Sequence, residues 1–392
     1  MTTLPSLAEH LADRQLDEDR RRTARFPELL ARKLRRMSAS PLAFLRGSAP
    51  LFSALLGEHP ELAAGPPGEG WIVGDLHLEN FGAYRADDTR VVFDLNDFDD
   101  TVIGPWRLDV LRLTTSLLLG GRELGADGVL ALKLADAVIE AWCRTVFDGE
   151  PPPSAPAPVV ARVEHVRARN RAAFLKERVE GTGAKTHFQR GERYAELAKD
   201  VRAAVPEAFA AYLASLSPAE HPGPKCALGI VDAALRIAGT GSLGGLRIAV
   251  LVEEGWIFDL KEQGEASAAK LVDATRLAPA ERVVTGFRAC IEHPPRALGT
   301  STLAGLSLFG RRLAPQEDKL ALGKIAPRDL PALATYLGAL LGRAHARGAR
   351  KRPHGQWSKA DREGVRQQAV RLAGIHEATY LALCERIRPL LG

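Results

Sequence analysis

Three short stretches of this chain carry side chains whose types and spacing suit phosphate and metal chemistry. The first is Gly74-Asp75-Leu76-His77-Leu78-Glu79-Asn80, after the apolar run Trp71-Ile72-Val73. A strand delivers Asp75 to its end, and a tight loop returns Asn80 five residues later. Phosphoryl transfer needs a carboxylate that orients a hydroxyl and an amide oxygen that holds a metal, and such a loop supplies both. His77 can orient the loop or take part in the chemistry. The competing reading is a polar turn whose Asp and Asn bond the backbone.

The second stretch is Asn96-Asp97-Phe98-Asp99-Asp100, directly after the apolar run 91–95. With Asp94 it gathers four carboxylates within seven residues. Like charges held so close are costly unless a cation or hydrogen-bond donors neutralise them, and a divalent metal is the usual reason. An exposed acidic turn is the alternative.

The third is Gly239-Thr240-Gly241-Ser242-Leu243-Gly244-Gly245, which leads into the apolar run 246–252. Glycines let backbone close over phosphates, so that successive N–H groups cradle them. They also simply permit tight turns. A strand follows, not a helix, which argues against a Walker-type loop or a dinucleotide fold and fits a two-stranded flap. Lys261 then ends the run Trp256 to Leu260, where it can reach nucleotide phosphates or face solvent. A phosphate-binding lysine needs a carboxylate to orient it, and Glu281, Glu265 and Glu262 are the candidates. Arg46 stands alone in the apolar stretch 40–52, either paired in the core or aimed at a phosphate.

These groups need elements to position them. Residues 1–60 read as helix, with Phe26, Leu30, Leu34 and Met37 at helical spacing. Runs 71–75 and 91–95 read as strands, and 108–148 returns to helix. PPPSAPAP at 151–158 is a linker. Residues 159–217 read as helical, and 226–262 as helix and then a hairpin turning near 253–255. Segments 265–293, 328–347 and the tail from Ser358 read as helix. The class is α+β.

Of 392 residues, 46% are hydrophobic, enough for a sizeable core. The net charge of +5 is only mildly basic, and no nucleic-acid motif accompanies it. Cys143, Cys226, Cys290 and Cys384 form no CxxC pair, which predicts buried free thiols. No apolar run approaches the ~20 residues of a membrane span, and no apolar signal core stands at the N-terminus. A cytoplasmic protein is expected, with an oligomeric state the sequence leaves open.

Together, GDLHLENF and NDFDD resemble the catalytic and metal-binding loops of aminoglycoside phosphotransferases and related kinases. That resemblance implies Asp75 as catalytic base, Asn80 and Asp97 as Mg²⁺ ligands, and Asp109 as a structural aspartate fixing the loop, with ATP as cosubstrate. In ordinary kinases the glycine loop and its lysine come first, whereas here they follow Asp75. The helix expected before the catalytic loop stands at 329–347. A circular permutation explains these displacements. The chain is also similar to the bacterial family DUF2252, through SPLAFLRGSAPLF, GDLHLENFG, VFDLNDFDDT, GTGSLGGLRIAVLV, DLKEQGEAS, AERVVTGFR and LLGRAHARG. The expected units are an N-terminal helical segment (1–70), a catalytic half of a large lobe with a helical insertion (71–225), a small nucleotide-binding lobe (226–325) and helices completing the large lobe (326–392). The basic insertion at 159–204 suggests an acidic acceptor. A non-catalytic nucleotide-binding module is one alternative. A metallophosphoesterase is another, suggested by Gly-Asp-Leu-His at 74–77, although no Asn-His dipeptide occurs.

Overall fold

Leu30, Leu34 and Met37 share one helix as expected, but Phe26 falls in the bend before it; the N-terminal region forms four helices, α1 (Leu4–Arg22), α2 (Leu29–Met37), α3 (Pro41–Gly47) and α4 (Ala49–Glu58). Ser40 caps α3 by accepting the Ala43 N–H, with Pro41 in the first turn, a combination that fixes a helix start. The computed structural model describes residues 4–87, 90–121, 123–220, 228–272, 276–313, 317–320, 322–353 and 355–391. Cys226 lies outside them. Cys143 and Cys290 are buried free thiols, and Cys384 is a half-buried one.

Strands β1 (Glu69–Ile72), β2 (Phe81–Arg85), β3 (Val91–Leu95) and β4 (Val102–Pro105) come next. β2 and β3 form a hairpin with Phe81 opposite Leu95, and β1 pairs antiparallel with β4. Helices α5 (Arg107–Gly120), α6 (Gly128–Cys143), α7 (Ala157–Ala168) and α8 (Arg171–Lys176) follow. The stretch 159–217 is not continuous helix. Short strands β5 (Val179–Glu180), β6 (His187–Phe188) and β7 (Tyr194–Ala195) interrupt it before α9 (Lys199–Ser215). Gly181, Gly183 and Gly191 adopt positive φ there, which ends helical propagation.

The main sheet is built from β7, β8 (Ile230–Arg236), β9 (Arg247–Val252) and β10 (Ile257–Gln263). After α10 (Pro279–Cys290) it gains β11 (Gly299–Leu303) and β12 (Leu306–Leu313), in the antiparallel order β11-β12-β10-β9-β8-β7. The expected helix at the start of 226–262 is instead β8, because its pairing with β9 overrides an alanine-rich local preference for helix. Ile248, Val250, Phe258 and Leu260 pack toward one core, while Ala249, Leu251 and Ile257 pack toward another. A sheet buried on both faces explains why these strands read as continuous apolar runs. β7 and α9 belong to this sheet unit, since Phe209 and Tyr212 of α9 pack edge-on against Phe258.

The chain finishes with β13 (Glu317–Lys319), α11 (Leu330–Arg347), β14 (Ala349–Lys351) and α12 (Lys359–Leu391). α11 packs on α6, and α12 on α1 and α5, so both ends of the chain share the largest core. The class is α+β with antiparallel sheets. No described helix is long and apolar enough to cross a membrane.

Inside the N-terminal helices, Lys33 and Asp19 form a fully buried ion pair at 3.0 Å. Burial dominates at both ends, pushing Asp19 up and Lys33 down, so the pair is costly to hold. Asp19→Leu or Lys33→Met alone should therefore cost about 3–5 kcal/mol, and the double substitution should recover most of that loss. Urea melts of the three variants decide it, and additive losses in the double variant would contradict this reading.

Candidate active site

The turn after β1 is held by one buried carboxylate. Asp109, in the first turn of α5, accepts the Val73 N–H at 2.7 Å and the Gly74 N–H at 2.9 Å. It is oriented in turn by His345 of α11, whose Nδ1 accepts the Trp142 indole N–H at 3.0 Å. Neutral His345 then carries its proton on Nε2 and donates it to Asp109, also at 3.0 Å. The sequence assigns His345 no role, yet it joins α11 to the loop. Gly74 has φ +85°, and a Cβ there would collide with the Asp100 carbonyl oxygen, so the turn requires glycine.

Beyond that turn, Asp75 projects toward a cleft with 21% of its side chain exposed. Arg112, one turn along α5 from Asp109, donates Nε to Asp75 Oδ1 at 2.8 Å and Nη2 to the same oxygen. Burial raises the Asp75 carboxyl to about 7; Arg112 opposes this rise, and Asp100 and Asp97 add to it. His77 is buried and held well below its ordinary value, first by burial and then by Arg46, Lys319 and Arg112. Its Nδ1 accepts the Glu79 N–H at 3.2 Å, and its backbone N–H donates to Asn80 Oδ1 at 2.7 Å. His77 is thus neutral and braces the loop that presents Asn80.

The acidic turn 96–100 divides its carboxylates among different tasks. Asp94, still in β3, pairs with Arg343 of α11 at 2.6 Å and faces away from the cleft. Burial would raise Asp97, but Lys261, Lys319, Arg311 and Arg247 outweigh it and hold the carboxyl below its usual range. Asp99 takes the direct ion pair with Lys261 and accepts Gln263 Nε2 at 2.9 Å. Asp100 accepts the Ser267 N–H at 2.6 Å.

The partner of Lys261 is therefore none of the three glutamates considered from the sequence. Asp259, Lys261 and Gln263 alternate along one face of β10, so Glu262 points the other way and bonds Arg25 at 2.6 Å. Glu265 lines the cleft without pairing to Lys261. Glu281 is exposed on the first turn of α10 and does not line the cleft, because the buried stripe Ala280, Val283, Val284 and Phe287 turns it outward. Its neighbour Arg282 is the residue of α10 that reaches the acidic turn. It donates to the Thr101 carbonyl and, at 3.1 Å, to that of Asp99.

The glycine loop closes against the N-terminal helices. Arg36 donates to the Gly239 carbonyl, and Lys33 to that of Gly241 at 3.4 Å. Gly244 has φ +103°, and a Cβ there would collide with the Arg22 carbonyl oxygen. Gly239, Thr240, Gly241, Ser242, Gly244 and Lys261 line one cleft of about 620 Å³ together with Asp75, His77, Asn80, Asp97, Asp99 and Arg46. Arg46 is also paired, its Nη2 2.8 Å from Glu79. The basic side chains of 159–204 are not in this cleft. Among the described residues, no group of three or more His, Cys, Asp or Glu is arranged to hold a metal alone. An ionised Asp97 and the Asn80 amide oxygen still suit Mg²⁺, which takes one or two protein oxygens and completes its shell with phosphates and water.

Arg112 and Lys319 escape the sequence reading. Arg112 had a signal, since an Asp109–Arg112 spacing of three puts both side chains on one helix face. Lys319 had none, because only the pairing of β13 with β2 brings it to the cleft.

The raised Asp75 gives a pH signature. Folded Asp75 keeps its proton to about pH 7, while the unfolded carboxyl releases it near its ordinary 3.8. Stability from this group is then full below the lower value and lost as pH rises through the upper one. The unfolding free energy of the native chain minus that of Asp75→Asn should fall across this window in denaturant melts. A flat difference would contradict the shift.

No curated protein and no solved structure matches the chain significantly. One family model does match, over residues 25–386, described as an uncharacterised protein conserved in bacteria. With the match spanning nearly the whole chain, this protein belongs to the DUF2252 family.

Proposed function

We propose that the protein binds ATP with Mg²⁺ in this cleft and transfers a phosphoryl or nucleotidyl group to a hydroxyl-bearing acceptor, on a kinase-like fold whose lobe order is circularly permuted. One observation carries the reading: the glycine loop, Lys261, Asp97, Asn80 and Asp75 share one cleft despite their distance in sequence. The path of the chain agrees with a permutation. The glycine loop precedes β9, Lys261 lies on β10, and Trp71 of β1 donates to the Gly348 carbonyl just after α11 at 2.9 Å.

In this reading the 239–245 loop and Lys261 hold the phosphates, and Asn80 and Asp97 hold the metal. The metal, when bound, neutralises phosphate charge. Arg112 occupies Asp75 Oδ1, which leaves Oδ2 for the acceptor hydroxyl. In phosphoryl transfer the acceptor oxygen bonds the γ-phosphorus, the bridging β–γ bond breaks, and ADP leaves with its electron pair. The hydroxyl proton passes to Asp75 and then to water. In nucleotidyl transfer the same oxygen attacks the α-phosphorus and pyrophosphate leaves. Positioning and charge neutralisation provide most of the acceleration in such reactions. A non-catalytic module would keep the nucleotide site and show no turnover. A phosphoesterase needs its own metal-ligand set, which the described residues do not assemble.

Thermal melts test this directly. ATP should raise the midpoint only with a divalent metal present, and at a hundredfold excess over its dissociation constant it should add about 2.7 kcal/mol of stability. Asp97→Asn should abolish that shift. Asp75→Asn should keep it and remove turnover. If millimolar Mg-ATP and the other Mg-nucleoside triphosphates all leave the midpoint unmoved, the nucleotide reading fails.

A further inference from the structure

The nucleotide reading leaves one wall of the cleft without a task. It is built by the last turn of α1, the residues just after it and α3, and it carries Arg21, Arg22, Arg25 and Arg46; Lys319 of β13 lines the same space. Arg21 and Arg22 share Glu18, and Arg25 bonds Glu262. Two cations have spare capacity. Arg46 gives Nη2 to Glu79, while its Nε is buried with no acceptor. Lys319 is exposed and makes no ion pair or hydrogen bond among the described residues.

We propose that this wall is the acceptor subsite and that the acceptor carries an oxyanion, a phosphate monoester or a carboxylate, beside its reacting hydroxyl. The inference rests on the proposed transfer reaction for the word acceptor, but not for the anion site itself. Glu79 belongs to the same short loop as Asp75 and Asn80, so an anion at the cleft-lining side of Arg46 lies beside the proposed base. A guanidinium edge suits either oxyanion, because it offers donors in a planar fork. An anionic acceptor would be repelled by Asp75, Asp97, Asp99 and Asp100, and the arginine wall with Lys319 supplies the opposing field.

Calorimetry on the full chain tests this with inorganic phosphate and malonate as probes, with and without saturating Mg²⁺ and a non-hydrolysable ATP analogue. At least one probe should bind equally well with the analogue present, and the stronger of the two identifies the oxyanion. Lys319→Gln and Arg46→Gln should each weaken that probe on the order of tenfold. Analogue affinity should fall by a much smaller factor than probe affinity in each variant. Lys319 is exposed and makes no ion pair among the described residues, so Lys319→Gln keeps the test sound if Arg46→Gln disturbs Glu79. Displacement of the probe by the analogue, an equal loss of analogue affinity in Lys319→Gln, or no probe binding at millimolar concentration would overturn the proposal. Probe binding without any analogue binding would uphold the oxyanion site and remove the nucleotide reading instead.

Discussion

Asp109 is a carboxylate with no access to solvent, and the Asp75 half of the cleft is positioned from it. Its two oxygens take the Val73 and Gly74 N–H groups, which would otherwise be buried donors without partners at the end of β1. A buried carboxylate is itself costly unless fully bonded, and His345 completes its shell. Three distant parts of the chain thus meet at one residue: the strand that carries Asp75, helix α5 and helix α11. Arg112, one turn further along α5, then clamps Asp75, so the same helix sets both the height and the rotation of the acidic side chain.

The opposite half of the cleft is organised by alternation along β10. Asp259, Lys261 and Gln263 share one face, and each meets a charged partner. Asp259 is buried between Arg236 and Arg247; burial opposes its ionisation, but the two arginines dominate and hold the carboxyl far below its usual range. Lys261 and Gln263 reach across to Asp99. This contact joins the sheet unit to the acidic turn, and Arg282 reinforces it from α10 by holding the backbone of that turn. Of the three glutamates the sequence offers to Lys261, Glu281 stands on α10, but that helix instead gives Arg282 to carbonyl groups and leaves the lysine to an aspartate of the turn itself.

Much of this was legible in the sequence, for local reasons. Apolar runs ending in Asp75, Asp97 and Lys261 mark strands that deliver polar groups to their ends, and the glycines of 239–245 mark a close backbone approach. Asp109 stood out through the resemblance of its flanking residues to known kinases. What was missed depends on tertiary contact. His345 is one of ten histidines, and nothing local distinguishes it until Trp142 and Asp109 flank it. Glu281 looked suitable by its spacing from Lys261, but the apolar stripe of α10 faces it outward. β8 read as helix because Ala233 and Ala234 favour one, and only its neighbour β9 makes it a strand.

The central claim is that segments far apart in sequence form a single nucleotide site. Hydrogen exchange followed by mass spectrometry, on the full chain with and without Mg-ATP, reads both segments in one experiment. Ligand contact slows exchange by suppressing local opening. The account requires peptides covering 239–245 and 96–101 to gain protection together and at the same ATP concentration. Protection confined to one segment, or absent from both at saturating Mg-ATP, would contradict it.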